Sequence, residues 1–259
     1  MHLLKHFIKK YFWWLVFHNR IIGKSIRLND EYSKLLDTTP FFSETKLNIF
    51  TVDNEDGILL NIFTKIGPGN RRFVDIGSND CINSNCANLS FHYDWCGTFV
   101  DANKSLINRG YYIYRRHFGK RVNRFSFTNC LITPTNINSI LVNSGETPDI
   151  DLLSIDLDGN DYHIWESILI VRPRVVVVEV QAEKGNQVFV PTYENVFEPY
   201  EDNLPKGASP LSMCNLARNK GYKLVAANRG CYNLFFVRED CMKCLEEISV
   251  EEILSNDIM

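Results

Sequence analysis

Hydrophobic and polar positions follow two different periods from about residue 71 onward. Short runs of β-branched and aromatic residues are separated by helix-like stretches, which is the pattern of βαβ units and a mostly parallel sheet. The unbroken valine run at 175–178 indicates a central strand covered on both faces. The pattern predicts parallel strands at residues 72–77, 97–101, 124–131, 150–156 and 174–180.

The pattern changes after the fifth strand. A polar stretch containing prolines precedes a helix predicted over residues 211–220, which Gly221 ends as a C-cap. Two further strands are predicted at 222–227 and 232–237, joined by a turn-forming cluster that contains glycine. The sequence therefore predicts an α/β domain whose parallel strands are followed by an antiparallel hairpin.

The chain divides into three predicted parts. Residues 1–45 form a basic, amphipathic helical extension, residues 46–245 form the α/β domain, and residues 246–259 form an acidic tail. Residues 1–29 hold six Lys and Arg and no Asp or Glu, so this segment carries +6 and the rest of the chain −9. Two interpretations stay open: peripheral contact with a membrane surface through residues 1–29, or packing against the domain or a dimer partner.

Composition and charge narrow the class of protein. The chain has 259 residues, 45% hydrophobic and 23% charged, which is typical of a globular protein. A net charge of −3 gives no support for nucleic-acid binding. No apolar run is long enough to span a bilayer, and no secretory signal is recognised, so the eight cysteines are expected to be reduced thiols in a cytoplasmic protein.

The segment FVDIGSNDC at residues 73–81 is a buried strand that runs into a glycine turn. Ligands of open α/β sheets lie at such strand ends, and Gly77 permits close approach of the backbone. The spacing is not G-x-G-x-x-G, and Asp75 would repel a pyrophosphate but suits a cationic amino group. Asp101 follows 26 positions later at the next strand end, where an acid receives ribose hydroxyls. Together these features indicate S-adenosyl-L-methionine; the alternative is that both acids only cap turns and helices.

Six segments carry a resemblance to a known family. Residues 74–80, 97–101, 151–161, 172–179, 221–225 and 233–237 are similar to FkbM-type methyltransferases, over roughly residues 50–240. The resemblance implies a Rossmann-like sheet of seven strands, S-adenosylmethionine as cofactor, and O-methylation of a sugar, glycan or other natural product. It also places Asp75, Gly77 and Asn79 in the cofactor loop and Asp101 on the ribose. With Ser78 and Asn129 added, the predicted cofactor-binding residues are Asp75, Gly77, Ser78, Asn79, Asp101 and Asn129.

This sequence departs from the family at two places. Cys81 stands where the family usually has a glycine, and Val180 and Gln181 replace an aromatic residue and Asn. These departures motivate an alternative function, in which a catalytically inactive methyltransferase fold serves as a binding module.

A third acidic cluster follows the fourth strand, at Asp156, Asp158 and Asp161. In an open sheet this cluster faces the same crevice as the first strand, so a carboxylate there is placed to act as general base. The predicted catalytic residues are Asp156, Asp158, His163 and Glu179. The cluster also leaves a divalent cation or simple helix capping open, and no metal ligands are predicted.

A rival interpretation takes the segment DLDG at 156–159 as the nucleophile motif of haloacid-dehalogenase-type phosphatases. Asn160 stands where that motif expects Thr, and no G-D-x-x-x-D segment follows. A phosphatase is therefore a weaker interpretation than an active methyltransferase or an inactive methyltransferase fold. The sequence identifies neither the acceptor, beyond a small molecule or glycan, nor the oligomeric state.

Overall fold

A computed structural model describes residues 25–33, 47–193, 207–243 and 245–255. Its centre is a seven-stranded sheet with strand order β3-β2-β1-β4-β5-β7-β6. The strands are β1 Arg72–Ile76, β2 Cys96–Asp101, β3 Ser126–Asn129, β4 Leu152–Ile155, β5 Val175–Glu179, β6 Tyr222–Ala227 and β7 Asn233–Arg238. The helices are α1 Ser25–Ser33, α2 Glu55–Ile66, α3 Ala87–His92, α4 Lys104–Phe118, α5 Ile137–Asn143, α6 Asp161–Ser167, α7 Pro210–Asn219 and α8 Val250–Ser255.

The sheet has the predicted directions. Strands β1 to β5 pair in parallel, and β7 pairs antiparallel with both β5 and β6. The strand order reverses between β1 and β4, which opens a crevice at their carboxyl ends. This is the mostly parallel, Rossmann-like sheet with a C-terminal antiparallel pair, so the predicted fold class is confirmed.

Two hydrophobic cores cover the two faces of the sheet. Alternate residues of β1 belong to different cores: Phe73 packs on one face, and Val74 and Ile76 on the other. The four valines of β5 are fully buried, because helices or loops lie on both faces of this central strand. The predicted third strand is shortened to β3 because a 3-10 helix, Gly119–Arg124, occupies its expected start.

The two predicted appendages are in part packed on the domain. Helix α1, within the predicted extension, docks on α3 through two reciprocal amide hydrogen bonds between Asn29 and Asn88. Residues 1–24, which carry most of the predicted basic helix, lie outside the described residues. Helix α8 lies within the predicted acidic tail, yet its Val250 and Ile253 are buried in the second core. The domain's packing therefore extends to at least residue 253.

A buried carboxylate joins the start of α2 to the hairpin of β6 and β7. Glu55 is 1% exposed, and its Oε1 accepts hydrogen bonds from the side-chain amides of Asn228 (2.9 Å) and Asn233 (3.1 Å). Its Oε2 accepts from the backbone amide of Asp53 (3.0 Å). Amide donors on both oxygens make burial of this carboxylate tolerable. None of the helices in the described residues combines the length and apolar character that crossing a bilayer requires.

Candidate active site

The polar residues at the crevice lie on one face of the sheet. Asp75 on β1 is in register with Ser154 on β4, and Glu179 on β5 is directly opposite Asn233 on β7. Residues paired in this way point to the same side of a sheet. The carboxyl edge of the sheet therefore carries a continuous polar band above the apolar core formed by residues such as Phe73 and Val177.

The turn after β1 fits closely between its neighbours. Gly77 has φ +77°, and a Cβ placed on it would lie 1.7 Å from the carbonyl oxygen of Asp156. The amides of Gly77 and Ser78 both donate to the carbonyl of Val100 (2.9 and 3.1 Å). Asn79, with φ +50°, follows on the exposed side of the turn. Only glycine satisfies both the positive φ and the close backbone contact at position 77.

Asp101 ties this turn to the end of β2. Its Oδ2 accepts from the backbone amide of Asn79 (2.8 Å), and its Oδ1 accepts from that of Asn103 (2.6 Å). The side-chain amide of Asn129 donates to the carbonyls of Asp101 (3.0 Å) and Ala102 (2.8 Å). The carboxyl is half-buried, and this burial raises its pKa. The structure thus gathers Gly77, Asn79, Asp101 and Asn129 at one place, as the sequence predicts.

Asp75 lies beneath the turn rather than at its surface. The residue is 3% exposed, and its Oδ2 accepts a short hydrogen bond from the hydroxyl of Ser84 (2.5 Å). A second hydrogen bond comes from Ser154, which also receives the side-chain amide of Asn85 (3.1 Å). Burial raises the pKa of Asp75 to about 6. In this arrangement Asp75 supports the turn, and its contact with an amino group stays a prediction.

Cys81 occupies space that an opposing glycine provides. It has φ +59° and is fully buried. Gly110 on α4 faces it so closely that a Cβ on Gly110 would lie 2.5 Å from the Cys81 Sγ. The hydroxyl of Tyr114 donates to the Cys81 carbonyl (3.1 Å). The thiol is therefore part of the packing between the turn and α4, and it does not enter the crevice.

The three predicted catalytic carboxylates form one group. Asp156, Asp158 and Glu179 each offer an oxygen, and these atoms all lie within 4.8 Å of one another. Asp156 faces the open crevice yet is surrounded by protein at the strand ends, while Glu179 is half-buried. Desolvation is the largest cause that raises the pKa values of Asp156 and Glu179; the next is repulsion, from Asp161 for Asp156 and from Asp156 for Glu179. Oxygen donors of this kind could hold a divalent cation.

One carboxyl oxygen of Asp156 and one of Glu179 lie within 4.8 Å of each other. Two ionised carboxylates this close repel each other, so the pair is favoured when one of its members holds a proton. One carboxyl of the pair can therefore hold a proton at the crevice, while the other, which is ionised, can accept a proton from a bound group.

Asp161 shapes the loop that presents this group. It is 1% exposed, and its two oxygens accept from the amides of Leu157 (2.8 Å) and Gly159 (3.0 Å). Asp158 lies between them with φ +50° and is exposed. Asp161, the first residue of α6, thus positions Asp158 from below by holding the loop on either side of it.

His163 makes its contacts away from the three carboxylates. Its Nε2 lies 2.7 Å from the carbonyl oxygen of Pro191, and its ring packs edge-on against Tyr193 (5.8 Å). It is not a member of the acidic group formed by Asp156, Asp158 and Glu179. In the described residues His163 holds the segment after β5, and its catalytic role stays a prediction.

Sequence reasoning missed the residues that support the site. Ser84, Asn85 and Ser154 surround Asp75, and Asn233 lies opposite Glu179. A signal existed for Ser154, since it is two positions before Asp156 and therefore shares its face of β4. Ser84 and Asn85 had no comparable signal, because they lie in the irregular segment before α3.

No protein family model matches the sequence, and no curated protein matches it. Solved structures with a similar arrangement include the O-methyltransferase from Bacillus cereus in complex with SAH, at 12% identity and TM-score 0.47, covering 90% of this chain and 95% of that one. A SAM-dependent methyltransferase from Aquifex aeolicus is 10% identical, with TM-score 0.41, and covers 80% and 95%. The methyltransferase domain of METTL16 is 13% identical, with TM-score 0.45, and covers 82% and 79%. These likenesses are too distant to carry an argument about activity, so the fold assignment rests on the strand order and directions.

Proposed function

We propose that this protein is an S-adenosylmethionine-dependent methyltransferase that O-methylates a hydroxyl of a sugar, a glycan or another natural product. One observation carries the proposal: the Gly77 turn, tied to Asp101, lies at the same sheet edge as the close carboxyl pair Asp156 and Glu179. Methyl transfer to a hydroxyl needs a nucleoside site and a proton acceptor side by side. The resemblance to FkbM-type enzymes in the sequence supports the same acceptor class.

The residues of the turn fit the proposed cofactor. Gly77 lets the chain turn tightly at the carboxyl end of β1, and Asp101 offers a half-buried carboxylate at the position that suits ribose hydroxyls. The oxygens of this carboxylate already accept one amide each, and each keeps a further lone pair for a ligand hydroxyl. Gly77, Ser78, Asn79, Asp101 and Asn129 would hold the cofactor, with Asp75 beneath them. When bound, S-adenosylmethionine supplies a methyl group on a sulfonium centre.

The chain's own contribution to the transfer is a base. A carboxylate with a raised pKa accepts the hydroxyl proton more readily than an ordinary one near neutral pH. The member of the Asp156 and Glu179 pair that is ionised takes this role, and Asp158 adds negative charge beside it. The proton that remains on the pair keeps the two carboxyls together, which fixes the base at the crevice.

The second candidate, an inactive fold that acts as a binding module, was motivated by Cys81 and by Val180 with Gln181. The burial of Cys81 against Gly110 removes the thiol as an obstacle in the crevice. Val180 is also buried, and its amide donates to the carbonyl of Tyr232 (2.8 Å), which continues the β5 ladder. Neither departure therefore favours loss of cofactor binding.

Calorimetric titration tests the proposal. We expect micromolar binding of S-adenosylmethionine and S-adenosylhomocysteine, with NAD as a negative comparison and Mg²⁺ titrated separately for the acidic group. The variant Asp101→Ala should lose most of this affinity. Asp94→Ala, which changes an exposed aspartate in the loop before β2, should retain it. Circular dichroism checks that both variants are folded.

The outcomes separate the candidates. Binding followed by methyl transfer to a hydroxylated acceptor, lost in Glu179→Gln and Asp156→Asn, supports the whole proposal. Cofactor binding without transfer to any hydroxylated acceptor would refute the O-methyltransferase assignment. No binding of either adenosyl ligand would leave the inactive fold as the better description.

A further inference from the structure

The outward side of α4 and of the 3-10 helix that follows is strongly basic. Between residues 102 and 145 the sequence holds seven Lys and Arg and no Asp or Glu, although the whole chain has a net charge of −3. All seven lie in α4 and in Gly119–Arg124. We call this set the basic surface: Lys104, Arg109, Arg115, Arg116, Lys120, Arg121 and Arg124.

The amphipathic pattern of α4 explains the orientation of these side chains. Its apolar residues, among them Ile107, Ile113 and Tyr114, are buried against the sheet. The helical period then turns the basic positions outward, and six of the seven are exposed, with Arg124 half-buried. Tyr111 and Tyr112 lie among them, 40% and 48% exposed.

Neighbouring acids offset only part of this charge. Asp80 pairs with Arg109 at 3.5 Å, and Asp94 pairs with Arg124. Arg115, Lys120 and Arg121 are exposed at the far end of α4, where Arg121 also lies over the ring of Phe118. The surface therefore stays positive although the chain as a whole has a net charge of −3, which is the charge pattern for docking on an anionic partner.

We propose that the basic surface docks this protein on an anionic membrane. Exposed tyrosines among cations suit the headgroup region of a bilayer, where both the ring and the hydroxyl are accommodated. The basic, aromatic segment at residues 1–29 adds charge of the same sign. Its described end, α1, packs on α3, and Phe91 of α3 packs on Tyr114 (4.7 Å) and Phe118 (5.4 Å) of α4. Helix α1 thus belongs to the same helical layer as α4, on one face of the sheet.

This docking also orients the crevice. Helix α4 begins three residues after Asp101. The backbone amide of its N-cap residue, Asn103, donates a hydrogen bond to the carboxylate of Asp101. The basic surface therefore starts at the edge of the crevice. A protein held by this surface carries the opening of its candidate active site beside the membrane plane.

Vesicle co-sedimentation of the full chain tests the proposal. Vesicles of phosphatidylcholine are compared with vesicles that also contain phosphatidylserine, at low and high salt. The double variant Arg115→Glu with Lys120→Glu is compared with Arg172→Glu with Arg218→Glu, which changes the net charge equally at exposed sites outside the basic surface. Loss of two cations alone lowers membrane partitioning roughly 30-fold, so the first variant should lose at least this much. The second should stay within about threefold of the parent, because its substitutions lie away from the contact.

Several results would overturn the proposal. Equal binding to neutral vesicles would show that anionic lipid is not recognised. Unchanged binding of the Arg115 and Lys120 variant, with loss only in Lys5→Gln, Lys9→Gln and Lys10→Gln, would assign the contact to the N-terminal segment. A short RNA that binds more tightly than the vesicles would replace the membrane by nucleic acid. The neutral variant Arg115→Gln with Lys120→Gln serves if the charge-reversed one is misfolded, and the result is independent of cofactor binding.

Discussion

The contact between the ends of β1 and β4 makes a sharp prediction for Gly77→Ala. The added Cβ would lie 1.7 Å from the carbonyl oxygen of Asp156, whereas real Cβ contacts stay above 3.0 Å, so the strand ends must separate by at least 1.3 Å, the difference of the two. That separation strains the hydrogen bond from the Asp156 amide to the Ile76 carbonyl, now 3.0 Å. The clash is with backbone, which cannot rotate away as a side chain can.

The magnitude follows from two separate costs. A non-glycine residue in the left-handed region costs about 1–2 kcal/mol, and overpacking of a close contact costs about 1–3 kcal/mol more. We therefore expect Gly77→Ala to lower the free energy of unfolding by about 2–5 kcal/mol. Gly145 is the matched control, because it has φ +74° but a Cβ added to it would meet nothing within 4 Å. Gly145→Ala should lose only about 1–2 kcal/mol.

Urea denaturation followed by tryptophan fluorescence and by circular dichroism measures both variants against the parent. The free energy of unfolding of a domain of this kind is about 5–15 kcal/mol. Unless the parent lies at the low end of these values, the Gly77→Ala variant is expected to remain folded in water. Equal losses in the two variants would refute the reasoning, because they would show that the strand ends part without cost and that only the backbone conformation matters.

Two further predictions concern the turn. Burial raises the pKa of Asp75 to about 6, so its carboxyl stabilises the fold fully below about pH 4, and this contribution is lost as the pH rises through about 6. Asp75→Asn should therefore gain in urea midpoint relative to the parent as the pH rises from about 4 to about 7. Asp94→Asn should show no such trend over this range, because Arg124 lowers the pKa of Asp94 and the contribution of this carboxyl is lost only as the pH falls below about 4. Parallel profiles for Asp75→Asn and the parent would contradict the prediction. Gly110→Ala should be destabilising because its Cβ meets the Cys81 Sγ at 2.5 Å and the Asp80 carbonyl oxygen at 2.8 Å. Adding Cys81→Gly removes the first of these contacts and should recover about 0.5–3 kcal/mol in a double-mutant cycle; strict additivity of the two substitutions would count against the contact with Cys81.

The parts of this fold that depend on local periodicity could be predicted from the sequence. The apolar runs of β5 and of the strand before Gly77 predict buried strands. Parallel pairing of these strands then places Asp75 and Asp101 at one edge of the sheet. Helix α2 was not predicted, because residues 55–66 are apolar around most of the helix and carry no clear amphipathic period.

The surroundings of the site could be predicted far less well. That Asp75 is covered by Ser84 and Ser154 depends on how the segment before α3 packs over the sheet. The contact of His163 with Pro191 depends likewise on a loop that returns from β5. Such contacts follow from tertiary packing, and residue type alone does not encode them. The burial of Cys81 is the clearest example, since Gly110, its counterpart, lies on another element.

The carboxylate of Glu55 has a consequence for how the molecule comes apart. It joins residues 178 positions distant in the sequence, Glu55 and Asn233, so the final hairpin and the first helix of the domain share one buried charge. Opening either element alone would leave that charge without its amides, which is costly in a dry interior. The two elements should therefore exchange their amide hydrogens as one cooperative unit. A contact between partners so far apart in the sequence forms late in folding, because the chain between them must be ordered first.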